Sequence, residues 1–257
     1  MAQRIAADTW AIQGETITLP VTITDARLTA AVFTCPAANA RDMLAGTPLR
    51  PLVAAGRAVS VLLCIHYGPW ALKSYDEVGI GLLALGPGGR PGLHLVDLPV
   101  TGAFTREAGR DLWALPKWVM SADLWFTPGE TSVVVRDGDR EVMRARVRHG
   151  RRVLPAPVRS GLPVWSYLDH GAQAGSLLRG RVPMNLSGVR LARGACDVRL
   201  PPGDPHPMAS RMRSLGMLGR PLFTTHAERL SGPLGAWRPV GSAAARRPGS
   251  APAPPRG

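Results

Sequence analysis

The sequence predicts an α+β fold centred on an antiparallel β-barrel, with flanking strands and a few short helices. Many short segments alternate in polarity or run apolar over the length of a strand, and glycine- and proline-rich turns separate them. These strands follow one another without the long helices that a βαβ fold places between its parallel strands. Few segments have the pattern of a helix, and those are short.

The first half of the chain contains most of the predicted elements. Residues 105–113 are expected to form a helix with Thr105 as its N-terminal cap, and Pro116 blocks any extension of that helix. The other predicted elements of this half are strands at residues 15–24, 28–34, 58–66, 77–85 and 92–100, and a helix at residues 37–45.

Residues 122–240 contain three strands in close succession and a weaker pattern beyond residue 150. The turn Asp137-Gly138-Asp139 joins two of these strands into a hairpin. The predicted elements are strands at residues 122–126, 131–136, 141–149, 185–192, 196–200 and 234–240, and a helix at residues 208–218. We expect one domain over residues 1–240 and a disordered tail of proline, alanine and arginine over residues 241–257.

Composition and cysteine spacing exclude several classes of protein. Hydrophobic residues make up 45% of the chain, which is too many for a disordered protein. No run of about 18 apolar residues is present, so no transmembrane helix is expected, and the N-terminus lacks the apolar segment of a secretory signal. Cys35, Cys64 and Cys196 are widely spaced without a CxxC pair, which indicates neither a disulfide framework nor a zinc site. We therefore expect a cytoplasmic protein with no membrane partner.

The net charge of +13 is unevenly distributed along the chain. Residues 1–139 hold 9 Arg, 2 Lys and 13 acidic residues, whereas residues 140–257 hold 20 Arg and 5 acidic residues, a net charge of +15. A basic half is consistent with binding to nucleic acid or to an acidic partner. The alternative is a general bias towards arginine. Because the arginines are scattered and no nucleic-acid motif accompanies them, we do not expect a nucleic-acid partner.

The chain contains only two lysines, Lys73 and Lys117. Arginine supplies surface charge but cannot act as a neutral amine, whereas a lysine can when burial disfavours its charged form. Lys117 lies among Leu, Trp, Pro, Val and Met residues, so it is the first candidate for attack on a ketone to form a Schiff base. The structural alternative is a lysine whose stem covers apolar surface while its ammonium group stays in water. We interpret Lys73, in an expected loop, as a solvated residue.

Two motifs around Lys117 resemble those of the acetoacetate decarboxylase family. Gly109-Arg110-Asp111, on the predicted helix, and Leu115-Pro116-Lys117 are similar to the family's Gly-Arg-(Glu/Asp) and Pro-Lys elements at the family's spacing. Upstream, Tyr75-Asp76-Glu77 is similar to its Tyr-x-Glu segment. The resemblance extends over residues 15–240, with its specific motifs between residues 75 and 117.

The resemblance implies a cone-like antiparallel β-barrel, assembled into a homo-oligomer, with a lysine that forms a Schiff base. Lys117 takes the position of that lysine, and Glu77 takes that of a glutamate that orients the site. Arg27 is the nearest candidate for an arginine that the family places near its first hairpin. We also expect Trp113, Leu115 and Trp118, which bracket Lys117, to wall the substrate pocket.

The implied reaction is the decarboxylation of a β-keto acid through a lysine iminium, with no metal or nucleotide cofactor. One departure from the family pattern is Trp118, since acetoacetate decarboxylases usually have a second lysine at that position. The alternatives left open are a family member that catalyses aldol chemistry or dehydration, and a protein of the same fold that only binds a small ligand. A nucleic-acid-associated protein is the third, least favoured class.

Overall fold

The computed structural model describes residues 2–153, 157–203 and 205–240, and the predicted tail at residues 241–257 lies outside the described residues. Three short helices occur in the described ranges: α1 (Ala37–Met43), α2 (Ala103–Trp113) and α3 (Pro207–Ser214). The first eleven strands are β1 (Gln3–Ala6), β2 (Thr9–Ile12), β3 (Glu15–Thr18), β4 (Val21–Pro36), β5 (Arg50–Pro51), β6 (Val53–Ala54), β7 (Arg57–Tyr67), β8 (Tyr75–Leu85), β9 (Pro91–Val100), β10 (Lys117–Val119) and β11 (Ser121–Phe126).

The remaining strands complete a fold that is mostly sheet. They are β12 (Glu130–Asp137), β13 (Arg140–Arg148), β14 (Arg151–Arg152), β15 (Gly161–Ser166), β16 (Leu178–Pro183), β17 (Asn185–Ser187), β18 (Arg190–Ala192), β19 (Cys196–Arg199), β20 (Phe223–Leu234) and β21 (Arg238–Pro239). The predicted combination of many strands with few short helices is confirmed. None of the helices in the described ranges has the length and apolar content needed to cross a bilayer.

The central sheet has the strand order β14-β18-β20-β4-β7-β8-β9-β15-β16-β21. Most neighbours in it are antiparallel, but β9 pairs in parallel with both β10 and β15. Smaller sheets flank it: β1-β2-β3 at the N-terminus, and β11-β12-β13-β19.

Three hydrophobic clusters lie among these elements in the described ranges; two are large cores, and the third is formed by Leu93, Leu95 and Leu98 of β9. The first core includes Phe33, Leu62 and Met143 and also contains residues of α1 and α3. The second core includes Trp113 and Leu230 and contains residues of α2 and of the N-terminal sheet. Strands β4 and β7 contribute to both cores, because successive side chains of a strand point to opposite faces of the sheet.

Several predicted elements need correction. The strand expected at residues 15–24 is interrupted at Leu19 and Pro20, where the proline has no N–H to donate to a ladder. The final strand expected at residues 234–240 is wrong, because the long strand is β20 at Phe223–Leu234 and only β21 follows. Two register shifts in the pairing of β20 with β4 break the alternation that would have identified it. Strands β15 and β16 contain Pro163 and Gly180 and were not expected.

Candidate active site

Lys117 is positioned by the abrupt end of α2. The helix ends at Ala114, which has the left-handed φ of 51°, and the Leu115 N–H donates to the Gly109 carbonyl at 3.0 Å. Pro116 cannot continue the helix, and the chain turns directly into β10, where Lys117 lies opposite Leu98 of β9. The lysine therefore enters the sheet one turn after a helix that packs beside it.

The ammonium group of Lys117 has one partner for each of its three N–H donors. Lys117 Nζ lies 2.7 Å from Glu77 Oε2, and it donates to Thr105 Oγ1 at 3.0 Å and to Tyr75 Oη at 3.2 Å. The side chains of Lys117 and Glu77 are only 3% and 8% exposed. The predicted alternative of a lysine with its ammonium group in water is therefore wrong. A buried charge requires such a set of partners, and they fix the position of the amine.

Two tyrosines surround the carboxylate of Glu77. Tyr67 and Tyr75 lie opposite each other on β7 and β8 with stacked rings, and both hydroxyls hydrogen-bond to Glu77. Burial, and next the negative charge of Glu77, raise the pKa of both tyrosines well above their ordinary value. Both hydroxyls therefore stay protonated around neutral pH and remain hydrogen-bond donors to the carboxylate.

The Gly109-Arg110-Asp111 segment supports the lysine by three different contacts. Gly109 leaves room for the lysine stem, since a Cβ atom at this position would lie 2.4 Å from Lys117 Cδ. Arg110 donates from Nη1 to the Lys117 carbonyl at 3.2 Å. Asp111 is buried and accepts a hydrogen bond from the Ala2 N–H at 2.6 Å. The motif thus joins the helix, the lysine strand and the N-terminal segment.

Lys117 and Glu77 line an apolar cavity, which we call the lysine cavity. Seven consecutive strands of the central sheet contribute to its wall. One lining residue from each, in sheet order, is Leu230, Leu28, Ile65, Glu77, Leu95, Val164 and Val182. The sheet therefore curves around this cavity, as a cone-like barrel requires.

The lining of the lysine cavity is almost wholly apolar. Among the described residues that line it, Glu77 and Lys117 are the only charged ones. The indole Nε1 atoms of Trp70 and Trp237, which also line the cavity, are buried and have no hydrogen-bond partner among the described residues. A bound molecule with oxygen acceptors can satisfy such donors, whereas apolar groups of the molecule would replace water elsewhere.

The structure brings together four of the six residues predicted for the site. Lys117, Glu77, Trp113 and Leu115 all line the lysine cavity. Trp113 is fully buried, and its indole N–H donates to the Gly235 carbonyl at 2.9 Å.

Arg27 and Trp118 are not among the residues that line the lysine cavity. Arg27 is exposed and precedes Leu28, whose side chain does line it. Trp118 follows Lys117 and packs against the first core, stacked on His206. In both cases the reason is the alternation of a strand, which sends neighbouring side chains to opposite faces.

Two polar contacts of the site were not assigned from the sequence. Thr105 makes no capping hydrogen bond, because α2 begins two residues earlier, and its hydroxyl accepts from Lys117 instead. Tyr75 was noted only as part of a motif. The signal for Thr105 was its spacing from Gly109, since residues four apart lie on one face of a helix. Tyr75 and Glu77, two apart on β8, likewise share a face.

The second lysine, Lys73, and the buried histidine His94 do not line the lysine cavity. Lys73 is exposed and paired with Glu15 at 2.5 Å, as expected for a solvated residue. His94 is buried, its Nδ1 lies 3.1 Å from the Trp165 carbonyl, and burial lowers its pKa. The described residues contain no group of three or more His, Cys, Asp or Glu side chains placed to hold a metal ion.

The chain matches one family model and is similar in fold to several solved structures. A family model described as acetoacetate decarboxylase matches residues 10–228. Acetoacetate decarboxylase from Legionella pneumophila subsp. pneumophila str. Philadelphia 1 superimposes with a TM-score of 0.63 at 14% identity, over 93% of this chain and 91% of that chain. An acetoacetate decarboxylase-like enzyme from Sphingomonas wittichii RW1 gives a TM-score of 0.62 at 13% identity, over 88% of this chain and 96% of that one.

A third similar structure belongs to an enzyme of another description. The enduracididine biosynthesis enzyme MppR, complexed with the condensation product of pyruvate and imidazole 4-carboxaldehyde, gives a TM-score of 0.55 at 17% identity, over 87% of this chain and 90% of that chain. At these identities the structural matches show a shared fold. A comparison with curated protein sequences found no significant match.

Proposed function

The chain belongs to the acetoacetate decarboxylase family, and on that premise we propose that it is a Schiff-base-forming lyase that decarboxylates a β-keto acid. The single observation that carries the proposal is the buried amine of Lys117, which lies 2.7 Å from the carboxylate of Glu77 in an apolar cavity. The remaining elements of the proposal follow from the chemistry that this arrangement supports.

The first step is the removal of a proton from the Lys117 ammonium group, since only the free amine attacks a carbonyl carbon. Glu77 Oε2 is within hydrogen-bond distance of Nζ and accepts this proton. Tyr75 and Thr105 hold the nitrogen in position through their hydroxyl oxygens. Attack on the keto group and loss of water then give an iminium ion joined to Lys117.

The iminium ion accepts the electron pair of the breaking carbon–carbon bond. Carbon dioxide leaves and an enamine remains, which takes up one proton at carbon. Hydrolysis of the resulting iminium consumes the water released earlier and frees the ketone and the amine. The net reaction converts one keto-acid anion and one proton into a ketone and carbon dioxide.

The apolar wall contributes to the second step. A carboxylate in this cavity has little solvation, and it loses its charge when it departs as carbon dioxide. Lys117 is the only cation among the described lining residues. An arginine bound to the carboxylate would oppose decarboxylation, because its ion pair would be lost when carbon dioxide leaves. The described lining contains no arginine, and this supports decarboxylation.

A second candidate function is aldol condensation or dehydration through the same lysine. The observation that favours it is the likeness of this fold to MppR, whose structure holds a condensation product of pyruvate. Ligand binding without turnover is the remaining alternative on the same fold. Aldol or dehydration chemistry shares the lysine adduct with the first proposal and differs in the products, whereas ligand binding without turnover releases no product.

The test is product analysis with β-keto acids. Wild-type protein and Lys117→Arg are incubated with acetoacetate and its homologues, and ketone and carbon dioxide are quantified. Decarboxylation requires release of both products in equal amounts by the wild type, at a rate at least a hundredfold above Lys117→Arg. Consumption of the acid together with an aldehyde, without carbon dioxide, would favour aldol chemistry. The absence of both turnover and an adduct on Lys117 would favour ligand binding.

Assembly and location complete the proposal. We propose a homo-oligomer, supported by the exposed apolar side chains of Leu191 and Phe223, which line one shallow cleft. Light scattering on the purified protein tests it, and a monomeric mass would contradict it.

The cytoplasmic location and the single domain over residues 1–240 remain predictions. Nucleic acid is not a proposed partner.

A further inference from the structure

We infer that the substrate carries an uncharged apolar substituent much larger than the methyl group of acetoacetate, and that this substituent extends along β9 away from Lys117. The inference rests on the proposed function, because Lys117 fixes the position of the keto group. It adds to the proposed function the chemical class of the keto acid's substituent.

The length of the lysine cavity along β9 is the first support. Lys117 lies opposite Leu98, and Leu95 and Leu93 of the same strand also line the cavity. A register shift between β8 and β9 near Val96 lets these three leucines reach the same space although their spacing is uneven. Leu93 is five residues from Leu98, and because the register shift takes up one of them, the separation is roughly 13 Å at about 3.3 Å per residue. Acetoacetate is far shorter than this.

Strand β15 extends the cavity further in the same direction. It runs parallel to β9 with Val164 opposite Leu93, and Val164 lines the cavity. Leu162 lies two residues earlier on the same face, so it is further from Lys117, and it lines the cavity too. Leu162 therefore marks the distal end.

The distribution of polar groups supports an apolar occupant for that end. Lys117 and Glu77 are the only charged groups among the described lining residues, and both lie at the lysine end with Tyr75. A charged substituent would lose its hydration beside the leucines of β9 without gaining a counter-ion, because the unpartnered indole N–H groups of Trp70 and Trp237 are neutral donors. An alkyl or phenyl group would instead be transferred from water to an apolar surface.

Burial of each additional methylene group is worth about 0.8 kcal/mol, which is about a fourfold change in affinity. The test is a series of β-keto acids in which the methyl group of acetoacetate is replaced by propyl, pentyl, phenyl or carboxyethyl. Each is incubated with the full chain, trapped with borohydride, and scored by the concentration that gives half-maximal adduct at Lys117. We expect this concentration to fall about fourfold per methylene up to pentyl, and the carboxyethyl acid to trap worst.

Two variants test the direction of the substituent. Leu162→Asn is close to isosteric and makes the distal end polar, so it should weaken the trapping of the pentyl acid about tenfold and that of acetoacetate much less. Leu124→Asn, at a half-buried leucine of the second flanking sheet, is the matched control and should change neither. Circular dichroism confirms that both variants fold.

The outcomes separate this inference from the proposed function. Trapping at Lys117 that is equal for all chain lengths, or best for the carboxyethyl acid, would overturn the inference and leave the Schiff-base proposal standing. Equal effects of Leu162→Asn and Leu124→Asn on the pentyl acid would overturn the proposed direction of the substituent. No adduct at Lys117 with any acid would instead overturn the proposed function.

Discussion

The backbone of Gly109 lies against the aliphatic stem of Lys117, so closely that a Cβ atom at residue 109 would come within 2.4 Å of Lys117 Cδ. Helix α2 and strand β10 are thereby in contact at the point where the amine is aimed into the lysine cavity. This contact explains why the motif has glycine at residue 109, since a side chain there would collide with the stem of Lys117.

Gly109→Ala should slow the reaction of Lys117 without unfolding the protein. Alanine favours a helix over glycine by about 1 kcal/mol, so a purely local effect would stabilise α2. The contact with Lys117 instead forces the stem to move and displaces the amine from Glu77. We expect a folded protein whose rate of borohydride trapping falls at least tenfold.

Gly129→Ala is the matched control, since no atom lies within 4 Å of a Cβ at that position. Its trapping rate should equal that of the wild type. An unchanged rate for Gly109→Ala would show that the close contact has no role in placing the amine.

The buried ion pair of Lys117 and Glu77 should affect both the free energy of unfolding and the rate of borohydride trapping. Glu77→Gln leaves the ammonium group without its counter-ion, which costs about 3–5 kcal/mol in the free energy of unfolding. It also removes the proton acceptor, so trapping should slow by a factor of about 10² or more. Urea denaturation and trapping kinetics measure the two effects.

The double variant Lys117→Met, Glu77→Gln is the control for the stability effect. Because both charges are removed together, it should be more stable than Glu77→Gln alone. Strictly additive losses in the two single variants and the double variant would contradict the pairing.

Trp118 should matter for stability and not for substrate. It packs against the first core and stacks on His206, whereas Trp113 lines the lysine cavity. Trp118→Leu should lower the free energy of unfolding by about 1–3 kcal/mol and leave trapping within about twofold. Trp113→Leu is the comparison and should reduce trapping clearly. The reverse ranking of trapping rates would place Trp118 in the site.

The stacked pair of His149 and His226 should make stability fall in weak acid. Their ring centroids are 3.7 Å apart, and burial, together with the positive charge that a protonated His149 would add, lowers the pKa of His226 to about 4. An unfolded histidine titrates near 6.5. Between these values the unfolded state binds more protons, so stability is full above about pH 6.5 and is lost as the pH falls towards 4.

Urea titrations at several pH values test this sign. His226 contributes up to about 1.4 kcal/mol per pH unit inside the window. His226→Gln should lose less stability than the wild type between pH 6.5 and 4. Identical pH slopes for the two proteins would mean that His226 is not held neutral by the fold.

Lys117 was predicted from the scarcity of lysine and from its apolar neighbours, whereas Glu77 and the motif on α2 were predicted from the resemblance to the acetoacetate decarboxylase family. Local spacing explains why these residues meet in one site. Residues four apart on a helix, or two apart on a strand, share a face wherever the element lies. The same rule explains the failures at Trp118 and Arg27. Proximity along the chain suggested a common pocket, but each residue adjoins a cavity residue on a strand and therefore points away from the cavity.

The missed elements depend on non-local pairing. Strand β20 was missed because register shifts near Leu230 and Gly232 interrupt its alternating pattern. Strand β15 was missed because it contains a proline. The hydroxyl of Thr105 could be interpreted as a helix cap until Lys117 was placed beside it. The extent of the lysine cavity was likewise beyond the sequence, because seven strands from distant parts of the chain form its wall.

Borohydride trapping followed by peptide mapping tests the central claim most directly, because the chain contains only two lysines. Lys73 is exposed and serves as the internal control for unspecific reaction at a surface amine. We predict that a β-keto acid or its ketone product gives one adduct, on Lys117, which is absent from Lys117→Arg. An adduct on Lys73 alone, or equal modification of both lysines, would contradict the assignment of Lys117 as the reactive amine.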